Sequence, residues 1–409
     1  MNKINNSISQ LLEKEKCRQQ NTLSLIASEN LVPKNVIEVE ATCLMNKYAE
    51  GYNNNRYYSG CRIVNEIEDI AIQNAQKLFG AKYVNVQPHS GSSANFAIYF
   101  ALLNPGDKIM GLALPEGGHL THGHPANFSG KWFDSHFYHV DTHGVLDMHK
   151  IRQEIETIRP KLIITGASAY PLEIDFAQFA DIAKSVNAIL LADISHIAGL
   201  IAAGEHSNPL PYADVVMTTT HKTLRGPRGA IIMTNDEHIA KKIKQAVFPG
   251  TQGGPFMNII AAKAIAFENA QTLAFKQYIQ QMKKNAVVMS HVLCKLGIDV
   301  TVGTETHMLL LSLDGTHFSR NSKDAVILLE QAGVIVNKNM IRNDTSPTNP
   351  SGIRIGTPVI TSRGINEYVS MELARYIGKT LQDPSNADKL QEYVQKVCID
   401  YPLTNGDYI

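Results

Sequence analysis

AILLADISH, Ala188 to His196, and DVVMTTTHKT, Asp214 to Thr223, decide the fold class of this 409-residue chain. Each carries an apolar run, Ala188–Ala192 in the first and Val215–Met217 in the second, and closes on polar, chemically capable side chains. Near-continuous apolar strands suit a parallel sheet covered on both faces. Open sheets of that kind bind ligands at the carboxyl ends of their strands, where Asp193 and Lys222 fall. Outward from these segments, short apolar runs alternate with amphipathic ones from about residue 65 to 235. Strands are expected at Tyr83–Gln87, Lys108–Leu112, Lys161–Thr165, Ala188–Asp193, Asp214–Thr218 and Ala230–Thr234, with helices such as Ala94–Leu103 and Phe176–Val186 between them. The pattern predicts an α/β protein with a mostly parallel, doubly wound sheet.

Residues 7–20 read as a polar helix and 34–48 as a second helical stretch. Residues 258–295 read as one long helical region leading to a smaller α+β domain, with strands near 298–302, 307–313 and 353–356. The expected division is an N-terminal arm over 1–50, a large domain over 51–272 and a small domain over 273–409. Arg342–Gly352 is rich in turn formers and reads as a loop.

Lys plus Arg and Asp plus Glu number 38 each, so the formal net charge is zero. No basic excess steers the chain towards nucleic acid or an anionic membrane. No apolar run is long enough to span a bilayer. The N-terminus lacks an apolar core followed by a cleavage site, so no signal peptide is expected. Five scattered cysteines without a Cys-x-x-Cys pair argue for a reducing compartment, and the expected location is cytoplasmic.

A lysine at a strand end points into the crevice. To form a Schiff base it must shed its proton, which its ordinary pKa of about 10.4 opposes unless burial or a cation lowers it. A plain surface lysine is the alternative. Asp193, ending an apolar strand, needs a partner; a protonated pyridine nitrogen would serve, as would a helix cap or an internal salt bridge. Pro88 to Asn95, PHSGSSAN, follows a strand and opens a helix. Small hydroxyl residues there suit a phosphate, or an ordinary Ser cap. Gly250 to Pro255, GTQGGP, is a second flexible loop able to approach a phosphate, including that of a neighbouring subunit, or a plain turn. In Gly117 to Gly123, GGHLTHG, a histidine ring could stack on a flat cofactor. No HExxH and no zinc-spaced Cys/His cluster supports a metal.

Seven segments, TTTHKTLRGPRGA, LADISHIAGLIAAG, LIASEN, NKYAEGY, PHSGSSAN, GGHLTHG and SGIRIGTP, together resemble the serine hydroxymethyltransferase family. The resemblance runs from about residue 20 to 380. It implies a fold-type I pyridoxal phosphate enzyme that interconverts serine and glycine and passes the one-carbon unit to tetrahydrofolate. It implies that Lys222 holds the cofactor covalently, Asp193 pairs with the pyridine nitrogen, His119 stacks on the ring and His196 lies near the ring hydroxyl. Ser90, Gly91, Ser92 and His221 would hold the phosphate, with Gly253 and Gly254 supplied by the partner in a homodimer or tetramer. Thr219 and His221 stand beside Lys222 in the catalytic set. Arg354 would grip the substrate carboxylate, helped by Ser28. Glu50 would be the acid–base group, and Tyr48 and Tyr58 would border the substrate from across the dimer. Folate would meet Glu50, Tyr57, Leu114, Gly118, Leu120 and Asn339.

The chain departs from the family's usual pattern at Tyr52-Asn53-Asn54, where Tyr-Pro-Gly is common, and at Ser59. It departs also at Thr304-Glu305-Thr306-His307 and over Ser346–Gly352, a loop expected near folate. These departures keep a second reading in view: a folate-independent β-hydroxy amino acid aldolase or an α-substituted serine hydroxymethyltransferase. A third reading is a catalytically silent binding protein on the same fold, against which intact Lys222, Asp193 and Arg354 argue.

Overall fold

The computed structural model describes residues 6–319, 321–341, 344 and 350–403. They form two compact units, one of residues 32–280, the other of residues up to 31 together with those from 281 onward.

The larger unit is built on a seven-stranded sheet. Its strands are β1 (Tyr83–Asn85), β2 (Lys108–Leu112), β3 (Asp134–Tyr138), β4 (Leu162–Thr165), β5 (Ile189–Asp193), β6 (Val215–Thr219) and β7 (Ala230–Thr234). They lie in the order β1-β7-β6-β5-β4-β2-β3. All pairs from β6 through to β3 are parallel, and β7 runs antiparallel to both β6 and β1. The expected α/β class, the mostly parallel sheet and all six expected strands are present, to within a residue or two at their ends. The strand that sequence patterning missed is β3. DSHFY carries no apolar run, because an edge strand pairs on one side only and here stays half exposed.

Between the strands, helix α1 (Arg62–Phe79) precedes β1, and α2 (Gly91–Leu102) is capped by the Ser90 hydroxyl, which accepts from Ser93 N. Helix α3 (Phe176–Val186) starts on the Asp175 carboxylate, which accepts from Gln178 N. Ile98, Ile109, Leu162, Ile164, Leu191, Val215, Met217 and Ile232 fill the core between sheet and helices. The expected single helical region over 258–295 is two helices, α4 (Met257–Ala270) and α5 (Leu273–Lys295). Thr272 makes the break: its hydroxyl donates to Asn269 O and accepts from Phe275 N, closing one helix and capping the next. The expected helix over 34–48 stops at Glu40, and a 3-10 turn follows at Cys43–Asn46.

The smaller unit carries a four-stranded antiparallel sheet of β8 (Asp299–Val300), β9 (Met308–Ser312), β10 (Asn337–Asn339) and β11 (Gly352–Gly356), in the order β8-β9-β11-β10. Leu23–Ser24 pairs in parallel with Val334–Ile335. Leu23 and Leu25 are wholly buried among Leu309, Ile353 and Leu373. The N-terminal segment expected as an arm over 1–50 is therefore divided. Residues up to 31 complete the core of the C-terminal unit, while Val36 packs on Ala262 and Ala266 of the larger one. The boundary expected at 272/273 lies at 280/281, inside α5.

If the N-terminal segment is core, Leu25→Ala should lower the unfolding free energy by about 2–5 kcal/mol, the cost of a cavity at a fully buried leucine. Urea denaturation checks this; a change below about 0.5 kcal/mol, typical of a surface site, would show that the segment is peripheral.

Candidate active site

Two successive parallel strands, β5 and β6, deliver the chemistry. Asp193 is the last residue of β5, and Thr219 the last of β6, with Lys222 in the turn beyond. A hydrogen-bonded run joins them. Lys222 Nζ donates to Thr219 Oγ1 at 3.1 Å. Thr219 N donates to Ser195 Oγ at 3.1 Å, and Ser195 Oγ donates to Asp193 Oδ1 at 2.6 Å. Ser195 N adds a bond to the same oxygen at 3.1 Å. The other oxygen, Oδ2, accepts from Asn95 Nδ2 at 3.1 Å and pairs with His122 Nε2 at 3.0 Å.

Asp193 is thus a buried carboxylate surrounded by donors. Burial alone would raise its pKa, but the hydrogen bonds from His122 and from the Ser195 hydroxyl hold it far below the usual carboxylate range. It stays anionic where a cationic ring nitrogen could meet it.

His119 is tied into the same network. Asn95 Nδ2 donates to Thr121 Oγ1 at 2.8 Å, and Thr121 Oγ1 lies 2.7 Å from His119 Nδ1. Thr121 N also donates to Nδ1, at 3.2 Å, so that nitrogen carries no proton. Burial, then the neighbouring charge of His122, lowers the His119 pKa to about 4. A neutral, flat, desolvated ring faces this site. His221, next to Lys222, is lowered to about 3 by burial and by the charges of Lys222 and Arg228, and its Nδ1 is buried without a hydrogen-bond partner. His196 is buried, and its carbonyl accepts from Thr223 Oγ1 at 3.0 Å.

The turn before α2 lies alongside. A Cβ added to Gly91 would sit 2.8 Å from Thr219 Cγ2, so the helix N-terminus approaches the end of β6 more closely than a side chain allows. Ser90 and Ser92 flank it, and the free amides and dipole of a helix start favour an anion there.

A second cluster in the larger unit gathers the residues expected across a dimer. The Tyr48 and Tyr58 rings lie 5.1 Å apart, and Tyr57 meets Phe248 edge-on at 5.6 Å. Gly253 faces the Glu50 carboxylate, and Gly254 faces the Tyr48 ring. Leu114, Gly118 and Leu120 follow β2, where Gly118 N donates to Ala113 O, and Leu120 is 47% exposed. In the smaller unit, Arg354 sits in the middle of β11, paired with Asn337 on one side and Leu310 on the other. Its Nε donates to Asn337 Oδ1 at 3.1 Å, and burial lowers its pKa to about 10, leaving it a desolvated cation. Asn339 pairs with Gly352. Ser28 follows Ala27, which packs against Gly356 at the end of β11. Of the loop expected near folate, Ser346–Asn349 fall outside the described residues.

Sequence reasoning missed four members of the network: Asn95, Thr121, His122 and Ser195. All four stand inside quoted motifs. Their signal was polarity at positions that pack as core, since Asn95, Thr121 and His122 are at most 2% exposed. A cavity of 340 Å³ elsewhere in the unit, lined by Tyr52, Ile72, Tyr83, Asn85, Ile232 and Lys244 among others, contains none of the residues of this network.

The chain was compared with known proteins. The family model of serine hydroxymethyltransferase matches residues 1–377. A serine hydroxymethyltransferase of Prochlorococcus marinus (strain NATL1A) is 49% identical over 407 residues, covering 98% of each chain. Serine hydroxymethyltransferase 1 of Sulfurimonas denitrificans is 50% identical over 398 residues, 97% of this chain and 95% of its own. A serine hydroxymethyltransferase of Campylobacter jejuni subsp. jejuni is 50% identical over 391 residues, 95% of this chain and 94% of its own.

The two depressed histidines fix a sign. Between the unfolded value near 6.5 and about 4, the unfolded chain binds up to two more protons than the folded one. Stability should therefore fall as pH falls through that window, by up to about 1.4 kcal/mol per pH unit for each histidine. Urea unfolding of the cofactor-free protein at pH 6.5, 5.5 and 4.5 measures the slope. His119→Asn should make it shallower; an unchanged slope would mean that His119 is not buried neutral.

Proposed function

The chain belongs to the serine hydroxymethyltransferase family, and on that premise we propose which of its residues carry the reaction. It is a pyridoxal-phosphate-dependent glycine hydroxymethyltransferase, interconverting serine and glycine with tetrahydrofolate as co-substrate. Nothing in the relatives favours a folate-independent aldolase or an α-substituted serine hydroxymethyltransferase.

The residues at the strand ends fit the cofactor. An anionic carboxylate, an amine, a helix N-terminus with a close-approach glycine and a buried histidine nitrogen in need of a partner match, in turn, a pyridinium, an aldehyde and a phosphate. Bound pyridoxal phosphate supplies the electron sink that stabilises a carbanion at the α-carbon. Lys222 Nζ is the attachment point, and Thr219 Oγ1 orients it. Asp193, kept ionised by its four donors, holds a proton on the ring nitrogen. His119 covers the ring as a neutral plane, and His196 stands near the ring hydroxyl. Ser90, Gly91, Ser92 and His221 receive the phosphate, with Gly253 and Gly254 from a second copy. Arg354, assisted by Ser28, binds the substrate carboxylate as a desolvated fork. Glu50 moves the proton at the substrate hydroxyl. Tyr57, Leu114, Gly118, Leu120 and Asn339 meet folate. The observation that carries this reading is that Thr219 and Ser195 link the two strand ends, Thr219 Oγ1 accepting from Lys222 Nζ while Thr219 N donates to the Ser195 hydroxyl that bonds the Asp193 carboxylate.

We place the enzyme in the cytoplasm, a reading supported by five cysteines that are all free thiols. Among the described residues no helix is long and apolar enough to cross a membrane. The minimal active unit is a homodimer. Tyr48, Tyr57, Tyr58 and Phe256 are 45% to 72% exposed, a concentration of aromatic surface that a second copy would cover.

Lys222→Ala should abolish turnover and the covalent link trapped by borohydride, whereas Arg354→Ala should keep the link and bind glycine at least tenfold more weakly. A label on another residue, or unchanged glycine affinity in Arg354→Ala, would refute the corresponding assignment.

If the tyrosines serve the neighbour's site, inactive Lys222→Ala and Tyr58→Ala chains should complement each other. Remixed one to one, about a quarter of the parental sites would be intact, since half the dimers are mixed and each rebuilds one site of two. Mixtures no more active than the separate variants would place Tyr58 beside its own chain's lysine.

A further inference from the structure

Lys263, on α4, has no part in the chemistry above, yet it is only 1% exposed. Its Nζ donates to three main-chain carbonyls, Val86 O at 2.6 Å, Pro88 O at 3.0 Å and Ala230 O at 2.9 Å. An ammonium has three N–H donors and no acceptor, so these three bonds use it completely. The carbonyls belong to two pieces of chain: the run from the end of β1 towards the cap of α2, and the first residue of β7. Ala230 N closes the join by donating to Pro88 O at 3.2 Å. The carbonyl between Val86 and Pro88 is held from elsewhere: Gln252 Nε2 donates to Gln87 O, and Gln252 Oε1 accepts from His89 N, both at 3.0 Å. Every residue from Val86 to His89 is thereby fixed just before Ser90.

Space filling does not account for a lysine here. Burying a cation is costly, and a methionine would fill the same volume without that cost. The surroundings are shaped around the side chain: a Cβ on Gly229 would lie 2.6 Å from Lys263 Cε and 3.1 Å from Nζ.

We propose that Lys263 is a positioning residue for the cofactor's phosphate, tying the Val86–Ser90 turn to β7 so that Ser90, Gly91 and Ser92 meet the phosphate at the start of α2. The inference rests on the pyridoxal phosphate reading of the site. It predicts an effect specific to the phosphate, because the turn holds that group and not the ring.

The test titrates cofactor-free protein with pyridoxal 5'-phosphate and, separately, with pyridoxal, which lacks the phosphate, following the absorbance of the bound chromophore. In Lys263→Met the Kd for pyridoxal phosphate should rise by about tenfold or more, while that for pyridoxal changes by less than about twofold. Gly229→Ala, which crowds Lys263 without removing its amine, should move the ratio the same way, and it decides the matter if Lys263→Met does not fold. Equal weakening of both ligands, or unchanged phosphate-ester affinity in either folded variant, overturns the role of Lys263 while leaving the parent's binding intact. A parent protein that binds no pyridoxal phosphate overturns the site reading and this proposal together.

Discussion

A buried negative charge organises this protein. Asp193 closes the central strand of the large sheet, where an unpaired carboxylate is costly to bury. The chain meets that cost with donors drawn from across the fold: Asn95 from α2, His122 from the turn after β2, and Ser195 from its own turn. Two of these donors are themselves held. Ser195 Oγ accepts from Thr219 N. Asn95 bonds Thr121, and the Thr121 carbonyl accepts from the buried Tyr99 hydroxyl at 2.8 Å. The donors hold the carboxylate in a fixed polar setting, which is what an electrostatic site requires.

Sheet topology explains why one carboxylate can command so much. Strands β4, β5 and β6 run parallel, so their carboxyl ends open on the same edge. The turns leaving that edge need bring their side chains only a few ångströms to meet. Antiparallel β7 reverses direction beside β6 and brings Gly229 and Ala230 back under the same edge, where Lys263 can reach them. The single antiparallel excursion thus gives the turn before α2 a support from below.

Legibility in the sequence followed burial pattern. Strands covered on both faces announced themselves as apolar runs, and Lys108–Leu112 and Ala230–Thr234 lie where the runs placed them. Asp193 and Lys222 stood out together, because they end successive apolar runs, although each alone also admitted a surface lysine, a helix cap or an internal salt bridge. The half-exposed edge strand β3 had no run to read. The division of residues 1–50 was illegible because it depends on Leu23 and Leu25 entering a core formed hundreds of residues later. His122 and Asn95 were within reach of the eye, but only three dimensions show that they converge on one oxygen. Arg354 and Asn337 are similarly separated in sequence and joined by register.

At the departure Tyr52-Asn53-Asn54 the segment carrying Glu50 is held by a tight hairpin and by a distant tether. Without proline and glycine, that turn would be expected to loosen the segment carrying Glu50. Instead Asn54 adopts a left-handed conformation (φ 64°), which asparagine tolerates, and Gly51–Tyr52 pairs with Asn55–Arg56 as a tight hairpin. Arg56 holds the same segment. Its Nη1 donates to Ala49 O at 2.8 Å and Gly51 O at 2.7 Å, the carbonyls on either side of Glu50, and Tyr57 N donates to Glu50 O at 3.0 Å. The guanidinium is buried against Glu68, and Gln87 Nε2 bonds both Glu68 Oε1 and Gly51 O. Gln87 belongs to the same turn that Lys263 supports. The backbone of the proposed proton carrier and the proposed phosphate cradle are therefore braced by one buried network, so the altered hairpin changes the local means of holding Glu50 and leaves its anchorage in place.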